Sequence, residues 1–262
     1  MSNDLAVQMK SDAVLERFAA VTGGEHQAQV FVASVLIAVK DNQALEKCTV
    51  TSIIKSAMRA ATLRLSVDPA LKQAYLVPYG GNATLQPGWK GLYDMAMRTG
   101  KYRFINVAEI KPGFTVEFDL ISGHAKVERD ADSKGGWVAS FELTPKWGGM
   151  GKSLYMTHSE IQEHKERYSK GHNRQDSAWN TALPQMERKT VLRNLLQTWG
   201  VFDDADQAVL AEIEAEIKDV ENDPIDVDVV TAEEMIEAEV DFDSSNPSKL
   251  TEDEIQRELG NF

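Results

Sequence analysis

Cysteine is almost absent from this chain, which contains a single one, Cys48, among 262 residues. One thiol excludes internal disulfides and any zinc site built from several cysteines. The sequence also lacks a continuous apolar run of about 18 residues, the length that indicates a transmembrane helix. Its first residues, MSNDLAVQMKSD, show no basic stretch followed by an apolar one, as a secretory signal would. These absences predict a soluble protein of a reducing cytoplasm.

Common catalytic and metal-binding motifs are missing as well. The sequence has no HExxH or HxxEH pair and no Gly-x-Ser-x-Gly nucleophile elbow. His158, His164 and His172 are six and eight residues apart, so they lack the spacing of helical metal ligands. Cys48 has no evident partner for nucleophilic catalysis. We therefore predict that the protein is not an enzyme and that it needs no metal or other cofactor.

Negative charge dominates the chain, but it is unevenly distributed. The formal net charge is −13, yet residues 201–262 contain 21 of the 41 acidic side chains and 3 of the 28 basic ones. Residues 1–200 therefore contain 25 basic and 20 acidic side chains, which makes a mildly positive body. The negative total does not argue against a nucleic-acid partner. Two interpretations of the acidic tail stay open: a solubilising extension, or a segment for interaction or autoregulation.

Periodicity and capping signals predict helices around a strand-rich centre. The predicted helices span 25–40, which is apolar on more than one side, 51–65, 88–100, 157–171 and 184–199. Gly80-Gly81-Asn82 separates two strands, at 74–79 and 83–86. Residues 102–156 contain five strand-length pieces, which predict an antiparallel meander. In the tail, Asp204, Thr231 and Thr251 can each cap a short acidic helix on a tether.

Together these elements predict an α+β fold in which helices pack on one side of an antiparallel sheet. The chain divides into a helical N-terminal segment at 1–48, a candidate subunit contact, a core at 49–200, and a flexible acidic tail at 201–262. Thr157 and Glu160 form a predicted capping box. The apolar stripe predicted for the last core helix consists of Leu192, Leu195, Leu196 and Trp199.

The segment KWGGMGKSLYM, at 146–156, contains Gly-Lys-Ser, which ends the phosphate-binding loop of many ATPases. That loop needs a glycine five positions before Gly151, where this chain has Lys146. It must also follow a strand and open a helix, whereas the SLYM that ends the segment is strand-like. We predict a glycine-rich hairpin turn with Lys146 and Lys152 near its tip, and no ATP site.

Three blocks of sequence, taken in order, resemble the RecT family of phage and prophage single-strand annealing recombinases. The first, at 52–102, contains AYLVPYGG and GWKGLYDMAMRTG, which are similar to a strand and an aromatic-basic-glycine helix of that family. The second, YMTHSEIQEHKERYSKG at 155–171, resembles its next helix. The third, WNTALPQMERKTVLRNLL at 179–196, resembles its helix with a tryptophan, a methionine and a basic run. The resemblance covers about residues 45–200.

This resemblance implies an ATP-independent protein that binds single-stranded DNA and promotes its annealing during homologous recombination. It also implies homo-oligomers, as rings or helical filaments, in the cytoplasm of a bacterial host. Implied partners of the acidic tail are a companion exonuclease and the host single-strand binding protein. The alternative is a passive single-stranded DNA-binding protein that protects DNA without annealing it. If the tail competes with DNA, its removal should tighten DNA binding. If the tail docks a partner, its removal should change the affinity for DNA little.

Basic side chains neutralise phosphates and aromatic rings stack on bases of any sequence, so both are candidates for DNA contact. Plainer interpretations stay open: Lys90, Asp94 and Arg98 can form an ion-pair ladder, and the helix at 157–171 can be an ordinary solvated face. With the resemblance, the third block supplies the strongest candidates. The predicted DNA-binding residues are Arg188, Lys189, Arg193, Lys90, Arg98, Lys101, Arg103, Lys165, Arg167, Lys152, Tyr79 and Trp89.

Overall fold

The structure, a computed structural model, describes residues 2–119, 124–168 and 177–221. The end of the helix predicted at 157–171, the basic residues Lys170 and Arg174, and the helices predicted at Thr231 and Thr251 lie outside these residues. The helices and strands, in chain order, are α1 (Ser2–Met9), α2 (Asp12–Thr22), α3 (Glu25–Lys40), α4 (Val50–Thr62), β1 (Ala74–Tyr79), β2 (Asn82–Pro87), α5 (Trp89–Arg98), β3 (Tyr102–Ile110), β4 (Phe114–Phe118), β5 (Ala125–Arg129), β6 (Gly136–Leu143), β7 (Gly151–Thr157), α6 (His158–Tyr168), α7 (Ala178–Thr181), α8 (Leu183–Trp199) and α9 (Asp204–Glu221).

The N-terminal helices α1 to α3 pack on one another, and α1 and α2 also pack on α4. Along α3 the buried residues Ala28, Val32 and Val35 recur every three or four positions, which places them on one face. Val30 and Ile37, on the other side, are each 58% exposed. The prediction of a helix buried on more than one side is therefore wrong, because α3 is the outer layer of this part of the molecule.

Helix α4 is fixed to the hairpin that follows it. Thr49 caps the helix by accepting the backbone N–H of Ser52 at 3.3 Å. The Ser56 hydroxyl donates to the carbonyl oxygen of Ala83 at 2.7 Å, and the Ala83 N–H donates to the Ser52 hydroxyl at 2.8 Å. Both backbone groups of Ala83 in β2 thus have a serine hydroxyl of α4 as their hydrogen-bond partner. The two bonds hold α4 and β2 in one relative position.

The predicted hairpin of β1 and β2 is confirmed, and its turn consists of Gly80 and Gly81 at φ of 53° and 80°. Two consecutive positive φ angles fit the tight turn that matches the twist of antiparallel strands. Helix α5 then packs close to the start of β1. A Cβ on Gly91 would lie 2.1 Å from the carbonyl oxygen of Gln73, so the second glycine of GWKG is required by this approach.

The strand-rich region forms two separate antiparallel pieces. β6 lies between β3 and β7 in one sheet, and β4 and β5 form a hairpin of their own. Alternate residues of β6, namely Trp137, Ala139 and Phe141, are buried, and α8 packs on β6. The α+β fold with an antiparallel sheet is confirmed. The predicted meander, in which each strand pairs with the next along the chain, is wrong in detail. β6 packs against α8 at the centre of the sheet and pairs with β3 on one side and with β7 on the other.

The Gly-Lys-Ser segment lies in the hairpin between β6 and β7, as predicted. A short 3₁₀ turn at Pro145–Trp147 and two glycines, Gly148 and Gly149, with φ of 89° and 61°, reverse the chain. Strand β7 begins at Gly151, so this segment continues as a strand and opens no helix. The helix N-terminus that a phosphate-binding loop requires does not follow it.

The predicted capping box at the start of α6 is confirmed. The carboxylate of Glu160 accepts the backbone N–H of Thr157 at 2.8 Å, and the Thr157 hydroxyl accepts the N–H of Glu160 at 3.2 Å. The three leucines of the stripe predicted for α8 are buried. Trp199 is 40% exposed, because it is the last residue of the helix and the core ends before it.

The first helix of the acidic tail is part of the folded body. Ile213 of α9 is buried, and Val209, Leu210 and Ile217 pack against the same core. These positions recur every three or four residues, so α9 is amphipathic. The flexible tail was predicted to begin at residue 201. Instead, an apolar stripe within the acidic sequence packs α9 against the core. None of the helices in the described part of the chain has the length and apolar character needed to span a bilayer.

Candidate nucleic-acid interface

The structure places predicted basic residues of the second and third blocks side by side. Lys165 and Arg167 lie on α6, and Lys189 and Arg193 lie on α8, which is in contact with α6. Lys189 and Arg193 are four residues apart and therefore share one face of α8. These four residues are hereafter the α6–α8 basic surface. Arg188 is exposed beside it, about 100° around the helix from Lys189.

His164 of α6 shows how close these charges are. Burial lowers the pKa of His164 below its ordinary value of 6.5, and the charges of Arg193 and Arg167 lower this pKa further. The imidazole ring also lies near Tyr168, with 4.6 Å between ring centroids. Because two guanidinium groups from different helices act on one imidazole, positive charge is concentrated between α6 and α8. Such a concentration attracts a polyanion.

A buried carboxylate, that of Glu187, fixes α8 to α6 and to β6. Its Oε2 accepts the indole N–H of Trp137 at 3.0 Å and lies 2.9 Å from Nδ1 of His158. Its Oε1 accepts the side-chain amide of Gln162 at 3.4 Å. The Glu187 side chain is only 4% exposed, and a buried charge requires such partners. Glu187 therefore determines how the basic residues of the two helices are placed.

The sequence patterns used above did not single out Glu187. A signal was present, because Glu187 precedes Val191 by four residues and Leu195 by eight. It therefore shares the buried face of α8, where a charged residue is unusual unless it has partners. Among the described residues, no group of three or more His, Cys, Asp or Glu side chains is placed to hold a metal ion.

Lys165 also contacts the tryptophan that opens the third block. Its Nζ lies 5.9 Å from the ring centroid of Trp179, which is buried just before α8, and it donates to the side-chain oxygen of Gln162. A cation at this distance from an indole face is attracted by the ring. The second and third blocks are thus joined by side-chain contacts as well as by helix packing.

Two other predicted residues, Arg98 and Lys101, are directed towards the C-terminal helix. Arg98 Nη2 lies 2.8 Å from Oδ2 of Asp206, which is 5% exposed. Lys101 Nζ donates to the backbone carbonyl of Phe202 at 3.0 Å and lies 3.5 Å from the Asp203 carboxylate. Carboxylates of the same chain already neutralise both cations. This placement weakens the prediction that Arg98 and Lys101 contact DNA.

The ion-pair ladder considered for α5 is replaced by other contacts. Asp94 accepts the side-chain amide of Gln73 at 2.8 Å, and Lys90 Nζ lies 5.7 Å from the ring centroid of Trp89. Trp89 is half-buried at the first position of α5, and Tyr79 is half-buried at the end of β1. Each aromatic ring is partly accessible, and neither lies on the α6–α8 basic surface.

The remaining predicted residues lie on different faces of the sheet. Arg103 occupies a β-bulge in β3 and pairs with Glu142 at 2.8 Å. Glu142 and Phe104 line a groove of about 230 Å³ between the sheet and the β4–β5 hairpin. Lys152 is half-buried directly opposite Phe141, a residue on the face covered by α8. The structure therefore does not bring Arg103 and Lys152 together. The groove beside the β4–β5 hairpin was not predictable from the alternation of apolar residues along the strands.

Comparison with known proteins agrees with the three blocks and extends beyond them. The family model described as "RecT family" matches residues 29–241. The chain is 34% identical over 230 residues to "Uncharacterized protein YqaK" of Bacillus subtilis (strain 168), covering 86% of this chain and 78% of that protein. It is 22% identical over 241 residues to "Protein RecT" of Escherichia coli (strain K12), covering 88% and 87%. The matched region includes α9 as well as the α6–α8 basic surface.

Proposed function

Because the chain belongs to the RecT family, a family of annealing recombinases, we propose that it binds single-stranded DNA and pairs it with a complementary strand without ATP. The observation that carries this proposal is the α6–α8 basic surface, in which Arg167 and Arg193 act together on His164. Phosphate neutralisation by such residues supplies most of the affinity for a single strand and requires no particular sequence.

Annealing needs more than binding, because the bases must be able to test a second strand. A surface that holds the backbone through Lys165, Arg167, Lys189 and Arg193 leaves the base edges accessible. The buried Glu187 supports this role, because it fixes α6 to α8 and thus keeps the spacing of the four cations constant. A strand held at constant spacing loses less entropy when its complement pairs with it.

Independence from ATP is supported by the position of the Gly-Lys-Ser segment. Gly151, Lys152 and Ser153 are the first residues of β7 and pair with β6, so they do not lie at a helix N-terminus. Pairing of complementary strands is itself favourable, so the protein has only to bring strands together. The proposed reaction therefore needs no hydrolysis step and no catalytic residue.

We further propose that copies of the chain assemble along DNA and so extend the basic surface. The exposed side of α3, with Val30 and Ile37, is the candidate contact in the N-terminal segment. A companion exonuclease and the host single-strand binding protein are proposed partners of residues 222–262. These partners follow from the family and are independent of the DNA-binding site.

The test is annealing of two dye-labelled complementary oligonucleotides without nucleotide. The wild-type chain is compared with Arg188→Ala/Lys189→Ala/Arg193→Ala and with a control of equal charge change, Lys10→Ala/Lys40→Ala/Lys47→Ala, whose three lysines are exposed on the N-terminal layer. We expect the first variant to lose acceleration and the control to keep it. Loss of the two phosphate contacts of Lys189 and Arg193 should also reduce the salt slope of single-strand binding by about 1.4, and by about 2 if the adjacent Arg188 contacts a third phosphate.

Circular dichroism of each variant checks that the fold is intact. Equal losses in the two triple variants would show that total charge matters and would remove the α6–α8 basic surface from the proposal. Binding by the wild-type chain without faster pairing at any salt concentration would support the passive single-stranded DNA-binding protein instead.

A further inference from the structure

Helix α9 places two carboxylates on cations of α4. Glu216 pairs with Arg59 through Nη1 and lies 3.5 Å from Nζ of Lys55. Glu212 lies 3.4 Å from Nη2 of the same guanidinium. The two terminal nitrogens of Arg59 thus face two different carboxylates. Lys55 and Arg59 are four residues apart on α4, as Glu212 and Glu216 are on α9, so two cations and two anions face each other across one helix pair.

The other end of α9 is held differently. Asp206, 5% exposed, lies 2.8 Å from Arg98, whose side chain is 24% exposed, and Ile213 packs the middle of the helix into the core. The four charged residues between α4 and α9 differ in exposure: the side chains of Glu212 and Lys55 are 65% and 56% exposed, whereas those of Glu216 and Arg59 are 24% and 13% exposed. Ion pairs open to solvent contribute little to stability and are screened by salt. The contact of Glu212 therefore contributes little to the position of α9, which Asp206 and Ile213 hold independently of both glutamates.

We propose that Lys55 and Arg59 form a second site for the phosphate backbone of single-stranded DNA, which Glu212 and Glu216 occupy until DNA displaces them. The inference rests on the proposed function, to which it adds a binding surface and its regulation. Carboxylate and phosphate oxygens compete for the same donors, and the planar fork of an arginine suits either. Because Asp206 and Ile213 keep α9 docked, the exchange requires only that two glutamate side chains move.

This arrangement gives the protein a threshold for binding. To bind Lys55 and Arg59, a short or weakly bound polyanion must displace the carboxylates of Glu212 and Glu216. Because both glutamates belong to the docked helix α9, their local concentration at this site is high. A strand already bound at the α6–α8 basic surface is itself held locally and can displace them. The covered site therefore favours long single strands over short ones.

The test compares the full chain with Glu212→Gln/Glu216→Gln and with a control, Asp204→Asn/Glu214→Gln. The control removes an equal number of negative charges from exposed positions of α9. Glu214 is two residues from both Glu212 and Glu216 and therefore lies on the opposite side of the helix. Binding of an oligothymidine is measured over a range of salt concentrations. We expect the first variant to bind several-fold more tightly at low salt, with a slope steeper by about 1.4 for two added phosphate contacts. The control should show neither change.

A second pair of variants shows whether the gain comes from Lys55 and Arg59. Lys55→Ala/Arg59→Ala should have little effect on the binding of a short oligothymidine by the wild-type chain, should weaken the binding of a long one, and should abolish the gain in the Glu212→Gln/Glu216→Gln background. Glu212→Gln alone, at an exposed position, should give a smaller change in the same direction, and it keeps the test valid if the double variant unfolds. If Glu212→Gln/Glu216→Gln bound the oligothymidine with the same affinity as Asp204→Asn/Glu214→Gln, the inference would be overturned. Wild-type protein that fails to bind DNA would overturn the proposed function as well.

Discussion

His164 is the residue at which the candidate site can be observed directly. Burial, Arg193 and Arg167 all disfavour its charged form, so its pKa lies below 6.5 in the folded chain. The unfolded chain therefore takes up a proton first as the pH falls. Stability that is present above about pH 6.5 is lost as the pH falls from there towards the lower pKa of the folded state.

Single-stranded DNA on the α6–α8 basic surface should raise the pKa of His164, because phosphate charge offsets that of the two arginines. The measurement is a pH titration of the imidazole resonances by NMR, with and without an oligothymidine. His124, exposed directly before β5 and away from α3, is the control, and its resonances should not respond to DNA. A pKa of His164 that stays the same with saturating DNA would place the strand elsewhere.

Contacts between elements decide how the cations of α6 and α8 are arranged. Glu187 connects α8 with β6 through Trp137, and with α6 through His158 and Gln162. Removal of one buried acceptor leaves its donors without partners, which costs more than the bond itself contributes. The carboxylate is therefore a positioning group for both basic helices.

Glu187→Ala should destabilise the fold by about 2 kcal/mol, because the buried indole N–H of Trp137 loses its acceptor. Glu187→Gln keeps an oxygen at this place and should cost about half as much. Urea unfolding of the two variants and the wild-type chain measures the difference. Equal stability of the alanine and glutamine variants would mean that packing, and not the hydrogen bonds, holds α6 to α8.

Local signals predicted most elements well, and they failed where partners are distant. The capping box of Thr157 and Glu160 and the Gly80-Gly81 turn were predictable, because each depends on neighbours along the chain. The pairing of β3 with β6 was not predictable from alternation, since any two strands of matching pattern can pair. The docking of α9 was also missed, because its acidic composition concealed an apolar stripe that includes Ile213.

Charge is unevenly distributed over the whole molecule: residues 1–200 are mildly positive and the acidic residues after them are concentrated towards the end of the chain. Residues 222–262 contain 13 acidic and 2 basic side chains, so their removal changes the formal net charge from −13 to −2. Like charges slow the approach of DNA at low salt, and salt screens this repulsion over a Debye length of about 10 Å at 0.1 M.

A chain that ends at residue 221 retains α9 and should associate with single-stranded DNA faster than the full chain at low salt. The two association rates should converge as salt approaches about 1 M, where the Debye length is about 3 Å. Stopped-flow binding measures both rates, and dissociation should change little, because repulsion acts mainly on encounter. A difference that persists at high salt would indicate a specific contact of residues 222–262 with the body.

The sequence by itself determined most of the longer helices and the turns, the separation of charge and the family, since these depend on residue type, short-range spacing and order along the chain. It also identified the cations from which the DNA-binding residues are drawn. Only the tertiary structure decided which cations face each other and which are already paired. Arg98 and Asp206 are 108 residues apart, and Lys55 and Glu216 are 161 apart. Pairing at such separations is set by the packing of α9 on the body, which no local pattern contains.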